Sequence, residues 1–291
     1  MKQKQSVITI GSFDGLHLGH KLLIKTVLQS AKKNDLKSIV IVLEKPFRAV
    51  KGLLSLYDEK IEKLKRCGVD AIAVLKVPSK ILSLSPDEFF DEFLVKKLKI
   101  KELVCGQDFA FGKNREGNIA WLKEKTKKSN VSLKIIKPLK IGSFAASSSR
   151  IREALSKGDV KTAAKLLGRP YSFSGMPFNE RGVGSNLGFP TVNLKVSKDK
   201  ILPTGVFASV ILKGHEVYPA VTNIGSRPTF KLGNNIIPET HILNFKGKWG
   251  KSKTKIRLLK KLRPEKKFKS PKALKEQITK DVKKAKTFFD R

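Results

Sequence analysis

Cysteine is scarce in this chain, and long apolar runs are missing from it. The 291 residues include 2 cysteines, Cys67 and Cys105, and their spacing is not that of metal ligands. This argues against a disulfide scaffold and a structural zinc centre. No stretch approaches the ~18 continuous apolar residues that indicate a membrane helix. Residues 1–5 lead into the first apolar run without a signal-like segment, so we expect a cytoplasmic protein that is neither secreted nor membrane-spanning.

Acidic residues are also few. The chain has 25 Asp and Glu against 61 Lys and Arg, a formal net charge of +36. Such a charge ordinarily suggests a nucleic acid or an anionic membrane as partner. Only eleven of the basic residues are arginine, the side chain favoured for recognising phosphates and bases, and the lysines are spread through every segment. We therefore expect a solvated basic surface and no specific nucleic-acid partner, with a basic RNA-binding protein as the alternative.

Histidine is rare as well, and two of the four histidines fall in one glycine-bearing segment, residues 11–20 (GSFDGLHLGH). A β-branched run precedes this segment at residues 7–10, and an amphipathic pattern follows it at 21–33. This order predicts a strand, a turn and the start of a helix. A helix N-terminus in that position offers unpaired N–H groups and partial positive charge to a phosphate.

The residue types in this turn suit a polyphosphate. Gly11, Gly15 and Gly19 permit close approach of the backbone. His17 and His20 could donate hydrogen bonds to the charge that develops on a leaving pyrophosphate. A tight turn with incidental histidines is the alternative interpretation.

Strand and helix patterns alternate over the first half of the chain. Strands are predicted over 38–43, 71–75, 102–105 and 133–136, and helices over 58–66, 86–98 and 119–127. This alternation predicts an α/β fold, a Rossmann-like doubly wound parallel sheet with its site at the carboxyl ends of the strands. Two glycine-bearing segments, 11–20 and 106–117, fall at such ends.

A serine run precedes two arginines at the start of a further predicted helix. Ser147, Ser148 and Ser149 offer N-caps, and the fold could return this helix N-terminus to the phosphate site. Arg150 and Arg152 in the first turn oppose the helix dipole, so their placement suggests an anionic ligand. An exposed basic turn is the alternative.

The helical periodicity ends at residues 168–170, where we predict the domain boundary, with one domain at 1–168 and a second at 169–291. Short strand patterns then follow at 207–212, 217–223, 240–245 and 253–262, separated by Gly, Pro and Asn turns. They predict an antiparallel β-barrel. A C-terminal helix at 271–289 carries an apolar stripe that would close the barrel.

Several segments resemble known families. Residues 11–20 resemble the HxGH nucleotidyltransferase superfamily, and 106–113 (GQDFAFGK) with 147–152 (SSSRIR) resemble its bacterial FAD synthetase branch. Five later segments resemble riboflavin kinase modules. They are 188–193 (GFPTVN), 205–208 (GVFA), 223–230 (NIGSRPTF), 239–241 (ETH) and 262–268 (LRPEKKF). The motifs occur in family order over nearly the whole chain, which thus resembles the bifunctional riboflavin kinase/FMN adenylyltransferases.

The resemblance implies roles in adenylyl transfer from ATP to FMN. His17 and His20 would hold the ATP phosphates, Arg150 and Arg152 would neutralise pyrophosphate, and Mg²⁺ would share that charge. Further ATP contacts would come from Gly11, Phe13, Asp14, Gly15, Gly19, Ser147, Ser148 and Ser149, although Asp14 serves equally well as a turn residue. Flavin contacts would come from Asp108, Phe109, Phe111 and Gly112, with core packing as the alternative for the two phenylalanines.

The resemblance also implies a riboflavin kinase site. Thr191 and Asn193 are two residues apart, so on an extended strand they share one face, which suits a Mg²⁺–nucleotide site. Glu239, expected at the start of a strand after Pro238, is the candidate general base for the ribityl hydroxyl. An exposed glutamate at a strand edge is the alternative. Arg263 is a candidate flavin contact.

Two features depart from the family pattern. Glu180 and Ser185 stand where the kinase loop usually has a glycine and a basic residue, and the usual Pro-His-Pro segment is not intact at 43–46. The resemblance as a whole implies synthesis of FMN and then FAD from riboflavin and ATP. An adenylyltransferase with an impaired kinase module is the first alternative, and an adenylyltransferase for another acceptor is less favoured. The oligomeric state is left open.

Overall fold

The computed structural model describes residues 4–46, 50–76, 83–178, 187–229, 233–247 and 249–290. The chain forms two compact units, one of Met1–Val50 with Ser55–Ser148 and one of Lys51–Leu54 with Ser149–Arg291. The domain boundary at residue 168 stays a prediction. Glu180 and Ser185, the departures in the kinase loop, lie outside the described residues.

A five-stranded parallel sheet forms the centre of the first unit, as the alternation predicted. Its strands are β1 (Ser6–Gly11), β2 (Lys37–Leu43), β3 (Ala71–Leu75), β4 (Ile100–Gly106) and β5 (Ser132–Ile136). The spatial order is β3-β2-β1-β4-β5, so β1 is central and pairs with both β2 and β4. The turn after β1 therefore opens at the middle of the sheet's carboxyl edge.

Helices cover both faces of this sheet. They are α1 (Leu18–Lys33), α2 (Tyr57–Lys65), α3 (Pro86–Glu88), which continues as a π-helix over Phe89–Lys97, and α4 (Ile119–Lys127). Ile8 of β1 packs in one apolar cluster with Phe90 and Leu122, while Val7 packs in another with Val27 of α1. Because β1 is buried on both faces, residues 7–10 at its centre are all β-branched.

The helix predicted over 86–98 forms, but most of it is not an α-helix. Ser85 caps it, since its hydroxyl accepts a hydrogen bond from the Glu88 N–H at 3.2 Å. Beyond α3 the hydrogen bonds span five residues, as in the 3.1 Å bond from Leu98 N to the Phe93 carbonyl. Side-chain periodicity does not distinguish the two helix types over so short a stretch.

A hairpin that the sequence did not predict follows the sheet, with strands β6 (Lys140–Ile141) and β7 (Phe144–Ala145). Two short helices come next, α5 (Ser148–Ser156) and α6 (Val160–Leu167). Asp159 caps α6, and Gly168 ends it in the left-handed conformation at φ 67°.

The second unit contains the predicted antiparallel barrel. Its strands are β8 (Tyr171–Phe178), β9 (Thr191–Lys195), β10 (Gly205–Lys213), β11 (Glu216–Thr229), β12 (Gly233–Ile242) and β13 (Thr254–Arg263). The sheet is closed in the order β10-β11-β12-β9-β8-β13. The C-terminal helix α7 (Pro271–Phe289) packs through Ala285 against Val206, Ala208 and Val221.

Two expectations for the barrel were wrong. β8 was not among the strands predicted, because serine, glycine and proline interrupt its apolar alternation. β12 begins at Gly233, so Glu239 lies inside this strand and not at its start. Backbone pairing with β11 holds residues 233–238 in the strand, although Gly, Asn and Pro, which are typical of turns, occupy four of these six positions.

The short segment Lys51–Leu54 belongs to the second unit although it lies far from the rest of it in sequence. Leu53 N donates to the Asp199 carbonyl at 2.6 Å, and Ile201 N donates to the Leu53 carbonyl at 3.1 Å. The buried Lys200 ammonium donates to the Leu54 carbonyl at 2.8 Å. These contacts join residues about 150 positions apart, which no local pattern predicts.

Candidate active sites

The turn after β1 has an unusual backbone. Phe13 and Leu16 adopt left-handed conformations at φ 47° and φ 42°, as does Gly15 at φ 80°. The Phe13 side chain is fully buried and packs with Leu16 and Ile24. A contact between Phe13 and ATP would therefore involve its backbone, and this assignment stays a prediction.

The two histidines of the motif lie together at the N-terminus of α1. His17 is the N-cap, and its Nδ1 accepts a hydrogen bond from the His20 N–H at 3.3 Å. A neutral His17 therefore carries its proton on Nε2. The two rings stack with centroids 3.6 Å apart. A Cβ at Gly19 would lie 3.1 Å from the His17 ring and from the Ala146 carbonyl, so a side chain there would press on both.

His20 is uncharged at neutral pH. Burial lowers the pKa of its imidazole well below 6.5, and the charges of His17 and Lys60 act in the same direction. The His20 Nδ1 is buried and has no hydrogen-bond partner among the described residues. A neutral imidazole can donate one hydrogen bond to a phosphate without first losing hydration as a cation does.

Lys60 is a residue that the sequence reasoning missed. Its side chain is 2% exposed, and its ammonium donates to the carbonyls of Ser12, Leu43 and Glu44 at 3.1, 2.5 and 3.1 Å. Burial lowers the pKa of Lys60, while Asp14 and Glu44 raise it. Its spacing was an available signal, because Lys60 stands four residues before the buried Leu64 on the core-facing side of α2.

Asp14 and Ser148 hold the turn from inside. Asp14 is 1% exposed, and its Oδ1 accepts a hydrogen bond from the Ser55 N–H at 2.9 Å. The Ser148 hydroxyl donates to the Asp14 carbonyl at 2.8 Å. The structure thus brings Ser148 to the turn, while Ser149 is exposed and Ser147 is half-buried. These hydrogen bonds give Asp14 a structural role in the turn, and its nucleotide contact stays a prediction.

Arg150 and Arg152 lie on α5 in the second unit. The Arg150 guanidinium pairs with Glu153 at 2.8 Å, and Lys157 binds the same carboxylate at 2.9 Å. The hydrogen bonds of Lys157 and Arg150 and their charges lower the pKa of Glu153 to about 2. Because both partners of the Arg150 pair are exposed, the pair contributes little stability, and a phosphate could replace the carboxylate. Arg152 Nε donates to the Gly52 carbonyl at 3.0 Å.

The proposed flavin segment has one buried and one partly exposed aromatic ring. Phe111 is 8% exposed and packs against Phe89 and Trp121, with ring centroids 5.1 and 5.6 Å away. Phe109 is half-buried and stacks on Phe111 at 5.7 Å. Core packing therefore accounts for Phe111, while Phe109 packs at the edge of the same core and stays partly exposed, so its flavin contact stays a prediction.

Asp108 and Gly112 shape the loop around these rings. Asp108 is exposed, and its carbonyl accepts a hydrogen bond from Arg115 at 3.3 Å. Gly112 has φ 72°, and a Cβ there would lie 3.0 Å from the backbone nitrogen of Pro86. The loop thus requires glycine at position 112 for packing, and a flavin contact at either residue stays a prediction.

The barrel aligns a row of polar side chains across three neighbouring strands. Asn193 of β9 lies opposite Glu239 of β12, which lies opposite Asn223 of β11. Thr191 and His241 form the next pair in the same register. Residues directly opposite or two apart share one face of a sheet. Sequence reasoning placed Thr191 and Asn193 on a common face, but it assigned no role to Asn223.

Asn193 is a buried polar side chain on this face of the barrel. Its side chain is 1% exposed, and neither its Oδ1 nor its Nδ2 has a partner among the described residues. A buried amide without partners costs free energy, so such groups call for an explanation. No cluster of three His, Cys, Asp or Glu side chains that could hold a metal occurs in the described part of the chain. Side-chain oxygens like those of Asn193 and Thr191 are of the type that Mg²⁺ binds, and their role as Mg²⁺ ligands stays a prediction.

Arg263 connects the barrel to α7. Its Nε donates to the buried Asp281 at 2.9 Å, and its guanidinium lies 5.6 Å from the Phe268 ring centroid. The structure thus gives Arg263 a packing role. Its flavin contact stays a prediction.

Two known families match consecutive parts of this chain. Residues 1–150 match the family model for FAD synthetase, and residues 167–289 match that for riboflavin kinase. A bifunctional riboflavin kinase/FMN adenylyltransferase of Buchnera aphidicola from Schizaphis graminum is 34% identical, with 98% of this chain and 94% of the relative covered. This chain belongs to the bifunctional riboflavin kinase/FMN adenylyltransferase family. The resemblance drawn from the motifs is thereby confirmed.

Other members of this family are similarly close. The enzymes of that name from Haemophilus influenzae and Escherichia coli K12 are 34% and 32% identical, covering 97% and 99% of this chain and 94% of each relative. A crystal structure from Streptococcus pneumoniae, titled a macrolide-efflux protein, has a TM-score of 0.87 and 26% identity. The match covers 98% of this chain and 95% of the chain in that crystal structure. Within the described residues, no helix has the length and apolar character to cross a membrane.

Proposed function

We propose that this chain phosphorylates riboflavin to FMN and then transfers the adenylyl group of ATP to FMN, releasing pyrophosphate and FAD. The observation that carries the proposal is the match of both family models to consecutive parts of one chain. Each part also contains polar residues to which we assign its reaction. Each step would use one ATP.

The turn after β1 supports adenylyl transfer. An FMN phosphate oxygen would attack the α-phosphorus of ATP, and the bond from that phosphorus to the pyrophosphate oxygen would break. His17 and His20 lie at the N-terminus of α1, where N–H groups and the helix dipole favour the negative charge that builds on pyrophosphate. We assign Arg150 and Arg152 to the same charge.

The polar row on the barrel supports the kinase step. Glu239 would accept the proton of the ribityl 5′-hydroxyl as that oxygen attacks the γ-phosphorus and ADP leaves. Thr191 and Asn193 would hold Mg²⁺ with the nucleotide. When bound, Mg²⁺ would neutralise charge on the transferring phosphate. Asn193 lies directly opposite Glu239, and this register supports assigning the general base and the nucleotide ligands to one site.

The kinase assignment has a specific alternative. Glu180 and Ser185 depart from the family loop, and an acid close to ATP phosphates would repel them. The chain would then form FAD from FMN but no FMN from riboflavin.

Both cysteines are free, which supports a cytoplasmic location.

Product analysis separates these functions. Purified protein is incubated with ATP and Mg²⁺ and with either riboflavin or FMN, and the flavins are resolved by chromatography. We expect FMN and FAD from riboflavin, and FAD with pyrophosphate from FMN. FAD from FMN without FMN from riboflavin would reduce the proposal to the adenylyltransferase. No flavin product from either substrate would refute it.

A further inference from the structure

We propose that Lys60 is a positioning residue of the adenylyltransferase site, because its buried ammonium joins the carboxyl ends of two neighbouring strands beneath the turn that carries His17 and His20. This inference rests on the proposed adenylyl transfer. Lys60 acts through the turn and not on the substrate, since its side chain is 2% exposed.

The hydrogen bonds of Lys60 require its charged form. The ammonium donates to three backbone carbonyls, those of Ser12, Leu43 and Glu44. An ammonium has three N–H donors and a neutral amine has two, so all three bonds form only while the group is protonated. The carboxylates of Asp14 and Glu44 favour that charge against the cost of burial.

These three carbonyls belong to two strand ends. Ser12 follows β1 directly, and Leu43 is the last residue of β2. The two strands pair in parallel up to Gly11 and Val42, after which they no longer pair with each other. Lys60 thus replaces the strand pairing where it stops. It also fixes Glu44, which lies in the segment at 43–46 that departs from the family pattern.

The same ammonium places a fixed positive charge near His20. Lys60 and His17 both disfavour the protonated form of His20, whereas Asp14 and Glu44 are the carboxylates that act on Lys60. Burial lowers the pKa of Lys60, while the three carbonyl acceptors and the charges of Asp14 and Glu44 favour its ammonium form. The His20 imidazole can then donate a hydrogen bond in its neutral form.

The test compares Lys60→Met with Lys65→Met, an exposed lysine on the same helix. Lys60→Met keeps the volume but removes the charge and the three donors. We expect its kcat for FAD formation from FMN to fall about 10- to 100-fold, because a turn displaced by about 1 Å misaligns the phosphates. KM for ATP should change less. Riboflavin phosphorylation and the Lys65→Met variant should match wild type.

A second measurement separates the charge from simple packing. The pKa of His20 is followed by NMR of its ring proton in wild type, Lys60→Arg and Lys60→Met. We expect it to rise in Lys60→Met and to stay low in Lys60→Arg, which should also regain part of the kcat. If Lys60→Met fails to fold, Lys60→Gln replaces it in both measurements.

Two outcomes would overturn the inference. One is a folded Lys60→Met that forms FAD as fast as Lys65→Met does. The other is a His20 pKa that is equal in the Lys60→Arg and uncharged variants. A wild-type protein that forms no FAD would refute the proposed function instead, and the NMR titration would still test the link between Lys60 and His20.

Discussion

His17 and His20 form one unit rather than two independent donors. The Nδ1 of His17 is occupied by the His20 N–H, and the rings are in contact. A neutral His17 then carries its proton on Nε2. Replacing either imidazole would also alter the other, so single variants should not give additive losses.

Separate sites predict separate losses of activity. His17→Ala and Arg150→Ala should each lower FAD formation from FMN by at least about 100-fold, because a donor to the developing charge is removed. Both should leave riboflavin phosphorylation intact, and Glu239→Ala should have the reverse effect. Steady-state assays of both reactions on each variant provide the measurement. Loss of both activities in one folded variant would contradict the assignment.

The low pKa of His20 should make stability depend on pH. Below about pH 6.5 the unfolded chain protonates this imidazole, while the folded chain keeps it neutral. The unfolded state then binds more protons, so the free energy of unfolding should fall as pH drops, by at most about 1.4 kcal/mol per pH unit for this one group. Above pH 6.5 this contribution is constant.

Urea unfolding of wild type and His20→Asn between pH 5 and pH 7.5 measures this effect. We expect the two curves to run in parallel above pH 6.5 and to converge toward low pH, since the variant lacks the titrating group. Curves that stay parallel throughout would contradict a depressed pKa.

Asn193 should lower the stability of the fold while it serves the kinase activity. Its amide is buried without partners among the described residues, which costs roughly 1–3 kcal/mol. Asn193→Leu has similar volume and no polar atoms, so we expect unfolding to become harder by about 1 kcal/mol while FMN formation is lost. Chemical unfolding and the kinase assay test this, with FAD formation from FMN as the internal control. A variant that keeps kinase activity would show that Asn193 does not serve the nucleotide.

At the scale of elements, the strands of the barrel are joined by polar groups that their sequences do not reveal. The hydroxyls of Ser209, Thr222 and Thr240 form a fully buried chain across β10, β11 and β12, with separations of 2.7 and 3.0 Å. Neighbouring hydroxyls form hydrogen bonds with each other, so these three polar side chains can be buried in the core without a large energetic cost. Pairing between β11 and β12 also extends β11 to Thr229 and lets β12 begin at Gly233.

Helix α7 is held by a buried ion pair as well as by its apolar stripe. Asp281 is 2% exposed and accepts hydrogen bonds from Arg263 and from Gln277 at 2.9 and 3.0 Å. Asp281→Ala should leave the Arg263 guanidinium without its carboxylate and cost about 3–5 kcal/mol of unfolding free energy. The exposed Glu276→Ala on the same helix should cost less than about 0.5 kcal/mol. Urea unfolding compares them, and equal losses would contradict the buried pair.

At the scale of the molecule, the net charge of +36 should cause non-specific attraction to nucleic acid. Lysines bind phosphates without reading sequence, and each contact releases counterions. We expect the anisotropy of labelled RNA to show binding at 50 mM salt that weakens at least 10-fold by 200 mM and does not depend on sequence. Sequence-specific RNA binding that persists at 200 mM salt would favour the RNA-binding alternative instead.

The sequence by itself determined the order of the elements and much of their extent. β3, α4 and α7 begin and end where their patterns predict, because apolar periodicity and caps act over a few residues. The glycine turn with His17 and His20 was likewise evident from local spacing. The motifs, in their order, were enough to indicate the family.

Only the tertiary structure decided how distant residues combine. It buried Lys60 beneath the turn, aligned Asn193 with Glu239, and placed Lys51–Leu54 in the second unit. Strand register and buried hydrogen bonds depend on segments that meet only after folding. Composition and spacing along the chain record which residues are available, but not which of them become neighbours.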